Sequence, residues 1–509
     1  MTITSGRLAA AAGRRHVGNA LVPSGLYNSG IAAQPRGSDL GGVRLASTTP
    51  VGDAKPNKKQ RVVVLGSGWA GYGFARMLDP KKFERIVISP RSYFVFTPLL
   101  AGTAVGTLEF RAVLESVRRL GLDKFHQGWA DDIDFARKTI RVEANTSDDL
   151  ASRTQTTAVT SSDLQGREGD MFDVAYDKLI IAVGSYAQTF GIEGVKEYAN
   201  FLRDIGDARK IRLKVLQCFE KAALPTTSKA DRKKLLHFAV VGGGPTGIEF
   251  AAELHDLIRD DIRNLYPELM ESVAITVYDI APKVLPMFDQ TLANYAMETF
   301  RREGIAVKTE HHLTRIRRDE SCEGCLTLNI KEYGNKEVHA GIVVWSTGLM
   351  QNPLIQKMGD KAFSPSDFEG QGDQPPVKVK LQRDWQTGSV LTDSHLQVRV
   401  VPNETRADQV LTTESTALPD VYAIGDCSII HGLSLPATAQ VASQKATHLA
   451  KRLNQGDVDM SQTDDLKGWA AWVLWRTAYL TKSMSVRNKI MVPVYWAMSW
   501  LFGRDIARF

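Results

Sequence analysis

The chain has 509 residues, 43% of them apolar and 24% charged, which is too long for one domain and too apolar for a disordered protein. Its four cysteines exclude a disulfide scaffold, and no window approaches the roughly 20 uninterrupted apolar residues of a spanning helix, which excludes a multi-span transporter. The formal charge of +6 sits at the two ends, with five arginines against one acid in residues 1–50 and seven basic residues against one acid in 467–509. The body between is net acidic, unlike the face of a nucleic-acid binder.

The first 55 residues are rich in Arg, Ala, Ser and Gly and lack an apolar h-region, the composition of a mitochondrial transit peptide with a disordered lead. Cleavage is expected near Arg44–Ser47. The first buried strand is expected at Val62–Leu65 and the next at Ile86–Ser89. Between them, Gly66, Gly68 and Gly71 give the GxGxxG spacing: a tight turn, close backbone approach to a pyrophosphate, and close packing of the following helix. That helix would offer its N-terminal N–H groups to the phosphates. The acid usual at the end of the second strand is replaced by Ser89, a weaker handle on a ribose.

A second unit repeats the pattern, with a strand over Leu235–Val241, then Gly242, Gly244 and Gly247, a long helix from near Ile248, and a strand over Val273–Tyr278. Here the acid is present as Asp279, which accepts from ribose hydroxyls and repels a 2′-phosphate, so NADH is expected over NADPH. Two dinucleotide sites in one chain suggest a flavin and a nicotinamide. Tyr176–Ser185, ending at Gly184, and Gly341–Gly348 are two further strand-to-small-residue segments. Pro419–Ser428 places Asp426 just past a strand, where a carboxylate meets a ribityl hydroxyl.

Several stretches carry less. Residues 145–170, 360–390 and 400–417 read as polar surface loops. No EF-hand ladder and no metal-binding spacing is present. Cys322 and Cys325 form a CxxC in the turn of a hairpin, far from either glycine loop, and are expected to be two reduced thiols. Pro436 is expected to begin a helix on which Gln440 and Gln444 share a face among small residues, either as plain surface glutamines or as donors to a quinone. Residues 469–500 hold five of the nine tryptophans. Trp469, Trp472, Arg476 and Tyr479 follow helical spacing, and a final helix is expected from Pro493 to Phe502. Its apolar run, Ile490–Phe502, is too short to span and has basic residues at its edges, as in an interfacial helix pair; a packed core or dimer pair is the plainer reading.

Four segments together carry a family resemblance: residues 89–100 (Ser-Pro-Arg-Ser-Tyr-Phe-Val-Phe-Thr-Pro-Leu-Leu), 242–254 (Gly-Gly-Gly-Pro-Thr-Gly-Ile-Glu-Phe-Ala-Ala-Glu-Leu), 435–444, and the ending Phe-Gly-Arg-Asp-Ile-Ala-Arg-Phe. The chain resembles the two-dinucleotide-binding flavoproteins and, within them, the type II (alternative) NADH:quinone oxidoreductases. The resemblance implies an α/β fold of two Rossmann-like domains, glutathione-reductase-like, with a C-terminal helical membrane-anchoring segment. FAD-binding parts are expected at 56–235 and 351–455, an NADH-binding domain at 236–350, and the anchor at 456–509. FAD would contact Gly66, Gly68, Gly71, Ser89, Arg91, Thr97, Gly184 and Asp426, and NADH would contact Gly242, Gly244, Gly247, Asp279 and Gly348. Ubiquinone would meet Gln440 and Gln444. Glu249 is either a proton relay near the flavin or a structural carboxylate near a helix N-terminus.

The implied activity is NADH oxidation with ubiquinone reduction and no proton pumping. It would come from a homodimer lying on the mitochondrial inner membrane, on the matrix side because no spanning segment follows the presequence. Two alternatives share the fold: another NAD(P)H flavin reductase, and a non-enzymatic NADH-binding flavoprotein resembling apoptosis-inducing factor.

Overall fold

The protein is described by a computed structural model over residues 59–145, 169–285, 290–359, 361–364, 378–405, 415–433, 435–456 and 486–504. Residues 1–58, with the expected transit segment, and the polar stretch 146–168 lie outside these, as do Trp469, Trp472, Trp475, Arg476 and Tyr479.

The chain opens with strand β1 (Gln60–Leu65), helix α1 (Trp69–Met77) and strand β2 (Phe83–Ser89). Helix α2 (Leu100–Ala104) and strand β3 (Lys124–Asp134) follow, and strand β4 (Lys178–Ile181) returns to the centre. Val62, Val63, Val64 and Leu65 are fully buried, as a β-branched run covered on both faces by helices or a second sheet layer must be. Strand β5 (Ser185–Ala187) then carries the chain across to the second unit. Helix α3 (Ile205–Ala223) starts at a capping box in which the Asp204 and Asp207 carboxylates each accept from the other's backbone N–H.

In the second unit, strand β6 (His237–Val241) leads into helix α4 (Pro245–Leu257) and strand β7 (Ala274–Tyr278). Helix α4 starts three residues before Ile248, with Pro245 in its first turn, where a missing N–H is harmless. It passes into a π-helical turn at Ile258–Ile262, and this extension is why 37 residues separate Gly242 from Asp279. Strand β8 (Ile342–Trp345) fills the centre, and strand β9 (Leu349–Gln351) crosses back, pairing antiparallel with β5. Strand β10 (Thr416–Ala423), helix α5 (Ala439–Gln455) and helix α6 (Val486–Phe502) complete the described chain.

Two parallel cores of the same order result. In one the sequence of neighbours is β10-β4-β1-β2-β3; in the other it is Asn200–Phe201, then β8-β6-β7, then Ala306–Lys308. The expected doubly wound α/β fold is therefore present twice.

Four local expectations are corrected. Cys322 and Cys325 are joined in a disulfide and buried, within a turn whose ends, Leu313–Arg318 and Leu326–Ile330, do form the expected hairpin. The segment after residue 377 is core, not surface loop: Val379–Leu381 pairs with Gln397–Pro402, and the alternating Val379-Lys380-Leu381 buries its apolar members. Helix α5 begins at Ala439 with Thr438 as its cap, because the Thr438 hydroxyl accepts from the Val441 N–H. Pro493 lies inside helix α6, which starts seven residues earlier at Val486. No helix among the described residues is long and apolar enough to cross a membrane.

Candidate active site: two nucleotide cradles

The two units match residue for residue at the carboxyl ends of their central strands, where open α/β sheets bind ligands. Leu65 pairs with Ile88 and Ile181; Val241 pairs with Tyr278 and Trp345. One step on, Gly66 faces Ser89 and Ala182, and Gly242 faces Asp279 and Ser346. The Gly66 N–H donates to the Ile88 carbonyl at 2.8 Å, and the Gly242 N–H donates to that of Tyr278 at 2.8 Å.

Both lead glycines have positive φ, +106° and +116°, and a Cβ on either would run into the neighbouring strand end, at the Ala182 carbonyl or at Ser346. Gly71 and Gly247 let each helix press against its own lead glycine. Gly68 and Gly244 are the N-caps of α1 and α4; neither helix has a side-chain cap, and a Cβ at either glycine would meet open space. Each helix thus presents uncapped N–H groups to a free volume, which suits a phosphate.

The cradles differ at one register position. In the first, the Ser67 hydroxyl bonds that of Ser89 at 2.8 Å, and Ser89 also accepts from the Arg91 N–H at 3.2 Å. In the second, the counterpart of Ser67 is Gly243, whose N–H donates to the Asp279 carboxylate; the other Asp279 oxygen accepts from the Ala281 N–H at 2.6 Å. A Cβ at Gly243 would lie 2.7 Å from Val284 and 2.9 Å from Asp279. A small side chain at the end of β2 allows a serine in the loop, and a carboxylate at the end of β7 requires a glycine there.

Around the first cradle the structure joins the expected Arg91 and Asp426 to charges that sequence reasoning missed, namely Asp204, Arg203, Asp207 and Lys445. Arg91 pairs with Asp204 at 3.0 Å. Arg203 reaches the Ser185 hydroxyl at 3.4 Å, and its Nη1 is fully enclosed with no hydrogen-bond partner among the described residues. Ser185 also approaches Asp426 at 3.5 Å. Burial lowers the Arg203 pKa, with Asp426 opposing, and raises those of Asp426 and Tyr186. Burial also lifts Asp207 to about 6. Lys445 is buried, donates to the Ser428 carbonyl at 2.8 Å, and has its pKa lowered by burial. An enclosed guanidinium nitrogen without a partner, beside an uncapped helix and an open glycine, fits a group with anionic phosphates. These residues fit FAD. Gly184, at φ +66° in open space, and Thr97, which accepts from the Trp69 indole N–H at 2.9 Å, border the same edge.

The profile of the pyridine nucleotide-disulphide oxidoreductases matches residues 60–364, and that of the NDH2 C-terminal domain matches 456–505. An Arabidopsis thaliana protein named "External alternative NAD(P)H-ubiquinone oxidoreductase B4, mitochondrial" is 37% identical, with 90% of this chain and 91% of that protein covered. The chain belongs to the type II NADH dehydrogenases. Other relatives include a "Probable NADH dehydrogenase" of Dictyostelium discoideum, 33% identical over 98% of both chains. A Solanum tuberosum "Internal alternative NAD(P)H-ubiquinone oxidoreductase A1, mitochondrial" is 32% identical over 89% of both. In fold, the chain is similar to NDH2 from Plasmodium falciparum solved in complex with NADH, with a TM-score of 0.69, 24% identity, and coverage of 88% of this chain and 100% of that one.

Helix α5 packs along α1, with Ala446 against Gly73. Ala442, in its second turn, lies beside Gly425, which in turn touches Ala70 at the start of α1. Gln440 and Gln444 therefore sit on the helix end nearest the first cradle, Gln440 half-buried and Gln444 exposed. Glu249 is exposed on the first turns of α4. Helix α6 buries Val492 and packs Tyr495 and Trp496 against the core around α1, while Val494, Met498 and Leu501 are 45%, 48% and 62% exposed along its other face.

Proposed function

We propose that this protein is an FAD-dependent, non-proton-pumping NADH:ubiquinone oxidoreductase of mitochondria, converting NADH, a proton and ubiquinone to NAD⁺ and ubiquinol. The observation that carries the reading is the pair of register-equivalent cradles in one chain, the second with a carboxylate at its ribose position and the first with an unpaired buried guanidinium nitrogen. Bound FAD supplies the two-electron relay between the substrates.

The protein's part is binding and orientation. Residues 56–235 and 351–455 form the flavin part, 236–350 the NADH part and 456–509 the anchor. Gly66, Gly68 and Gly71 admit the FAD pyrophosphate against α1, with Arg203 as its counter-charge, while Ser89, Arg91, Thr97, Gly184 and Asp426 line its length. Gly242, Gly244, Gly247 and Gly348 do the same for NADH, and Asp279 takes the ribose hydroxyls. Gln440 and Gln444 donate to the quinone carbonyls, and Glu249 relays a proton near the flavin. The exposed apolar face of α6, at Val494, Met498 and Leu501, lies in the inner membrane surface. The protein acts as a homodimer, on the matrix side.

Anaerobic rapid mixing of the detergent-purified holoprotein with NADH, followed by a short-chain ubiquinone, tests the reading. Flavin bleaching by NADH and recovery with quinone at the turnover rate are expected. A bleached flavin that persists with quinone overturns it.

A further inference from the structure

The two cradles part company above their central strands. Gly184, at the end of β4, has no atom within 4 Å of where a Cβ would stand. Its register counterpart at the end of β8, Gly348, is covered: a Cβ there would lie 2.7 and 2.8 Å from the ring of Phe190. Phe190 comes from the strap that leaves β5 for the second unit. It is 52% exposed, and its φ of +54° is unfavourable for a residue with a side chain.

The strap is pinned at Gln188, two residues before the ring. The Trp345 indole N–H donates to the Gln188 carbonyl at 3.0 Å, and the Gln188 N–H donates to the Gly348 carbonyl at 3.3 Å. The Trp345 and Phe190 ring centres are 6.4 Å apart. A half-exposed aromatic ring, held at a fixed place by a left-handed residue and fitted onto a glycine, has more constraint than a solvent-facing loop needs.

Its place indicates what it meets. A dinucleotide lies across the carboxyl edge of the sheet with its pyrophosphate at the glycine loop. With the adenosine ribose at Asp279, on the β7 side, the other half extends over the β8 side, along Ser346 to Gly348. We propose that Phe190 is a nucleotide-positioning residue whose ring, seated on Gly348, is the apolar wall against which the nicotinamide end of NADH packs. The proposal rests on the assignment of the second cradle to NADH.

The test uses the FAD-loaded protein. Flavin bleaching is followed at increasing NADH, thermal stabilisation is measured with NAD⁺, and the reoxidation by ubiquinone of dithionite-reduced flavin is timed separately. Phe190→Ala is expected to raise the half-saturating NADH concentration about tenfold, as loss of one aromatic packing contact does. It should shrink the NAD⁺ stabilisation and leave reoxidation at the wild-type rate. Phe190→Tyr should restore half-saturation to within about twofold. If Phe190→Ala does not fold with FAD, Phe190→Leu, which fills the same space without a ring, takes its place with a smaller rise. Wild-type half-saturation in the variant, a loss that Tyr does not rescue, or an equal slowing of reoxidation overturns the assignment. Wild-type protein whose flavin NADH cannot bleach overturns the NADH reading itself, and Phe190's role with it.

Discussion

The two nucleotide cradles share a strand order, a glycine spacing and a hydrogen-bonded register, yet they solve one steric problem in opposite ways. Where the first places Ser67 in the loop and Ser89 at the strand end, the second places Gly243 and Asp279. The volume present at one position is absent from the other. The residue reading the ribose and the residue in the middle of the glycine loop are therefore a coupled pair, and neither is interpretable alone.

The lead glycines give the largest way to break the symmetry. Gly66→Ala forces a Cβ into the Ala182 carbonyl at a φ that alanine disfavours, and about 2–4 kcal/mol of strain and displacement is expected. The protein should purify without flavin absorbance. Gly242→Ala meets the same obstacle at Ser346, but should retain the yellow colour and lose bleaching by NADH. Flavin loss from both variants equally would mean the cradles do not serve separate nucleotides.

A second break concerns how each cradle is tied to the C-terminal segment. Only the helix of the second runs on into a π-turn, where Asp261 receives Arg504 at 2.7 Å; both side chains are about a tenth exposed. Arg504 also donates to the Thr107 hydroxyl at 2.9 Å, which donates to Glu253 at 2.8 Å. Arg504→Gln leaves Asp261 enclosed without its cation, so a loss of about 3 kcal/mol is expected, read as a lower melting temperature with FAD content unchanged. An unchanged melting temperature would show that the latch contributes nothing.

The coupled pair itself gives the smallest effect and the sharpest test. Gly243→Ser alone should cost about 1–3 kcal/mol by crowding Asp279 and Val284. Asp279→Ser alone should weaken NADH binding and narrow the preference over NADPH. The double variant rebuilds the arrangement of the first cradle and should recover about 1 kcal/mol of the summed losses, measured in a double-mutant cycle. Strict additivity would dissolve the pairing.

Much of this was legible in the sequence because it is local. Buried β-branched runs next to GxGxxG identify both cradles, and Asp279 is identifiable as the acid of the second although a π-turn lengthens the helix before it. Arg91 and Asp426 were legible, but Arg203, Asp207 and Lys445 were not, since they come from the bend before α3, from α3 itself and from α5, far along the chain. One signal was available: Ala442, Lys445, Ala446 and Leu449 form a buried stripe on α5 broken by a single lysine. Asp204 and Asp207 also have capping-box spacing. The CxxC was misread because spacing alone does not distinguish two thiols from a disulfide closing a hairpin turn.

NADH and quinone meet the flavin through separate residues in this reading. That separation is tested most directly by timing the two half-reactions in Asp279→Ser and Gln440→Ala. The account predicts that the first variant slows bleaching by NADH and leaves reoxidation by ubiquinone at the wild-type rate, and that the second does the reverse. Equal slowing of both half-reactions in either variant would contradict it.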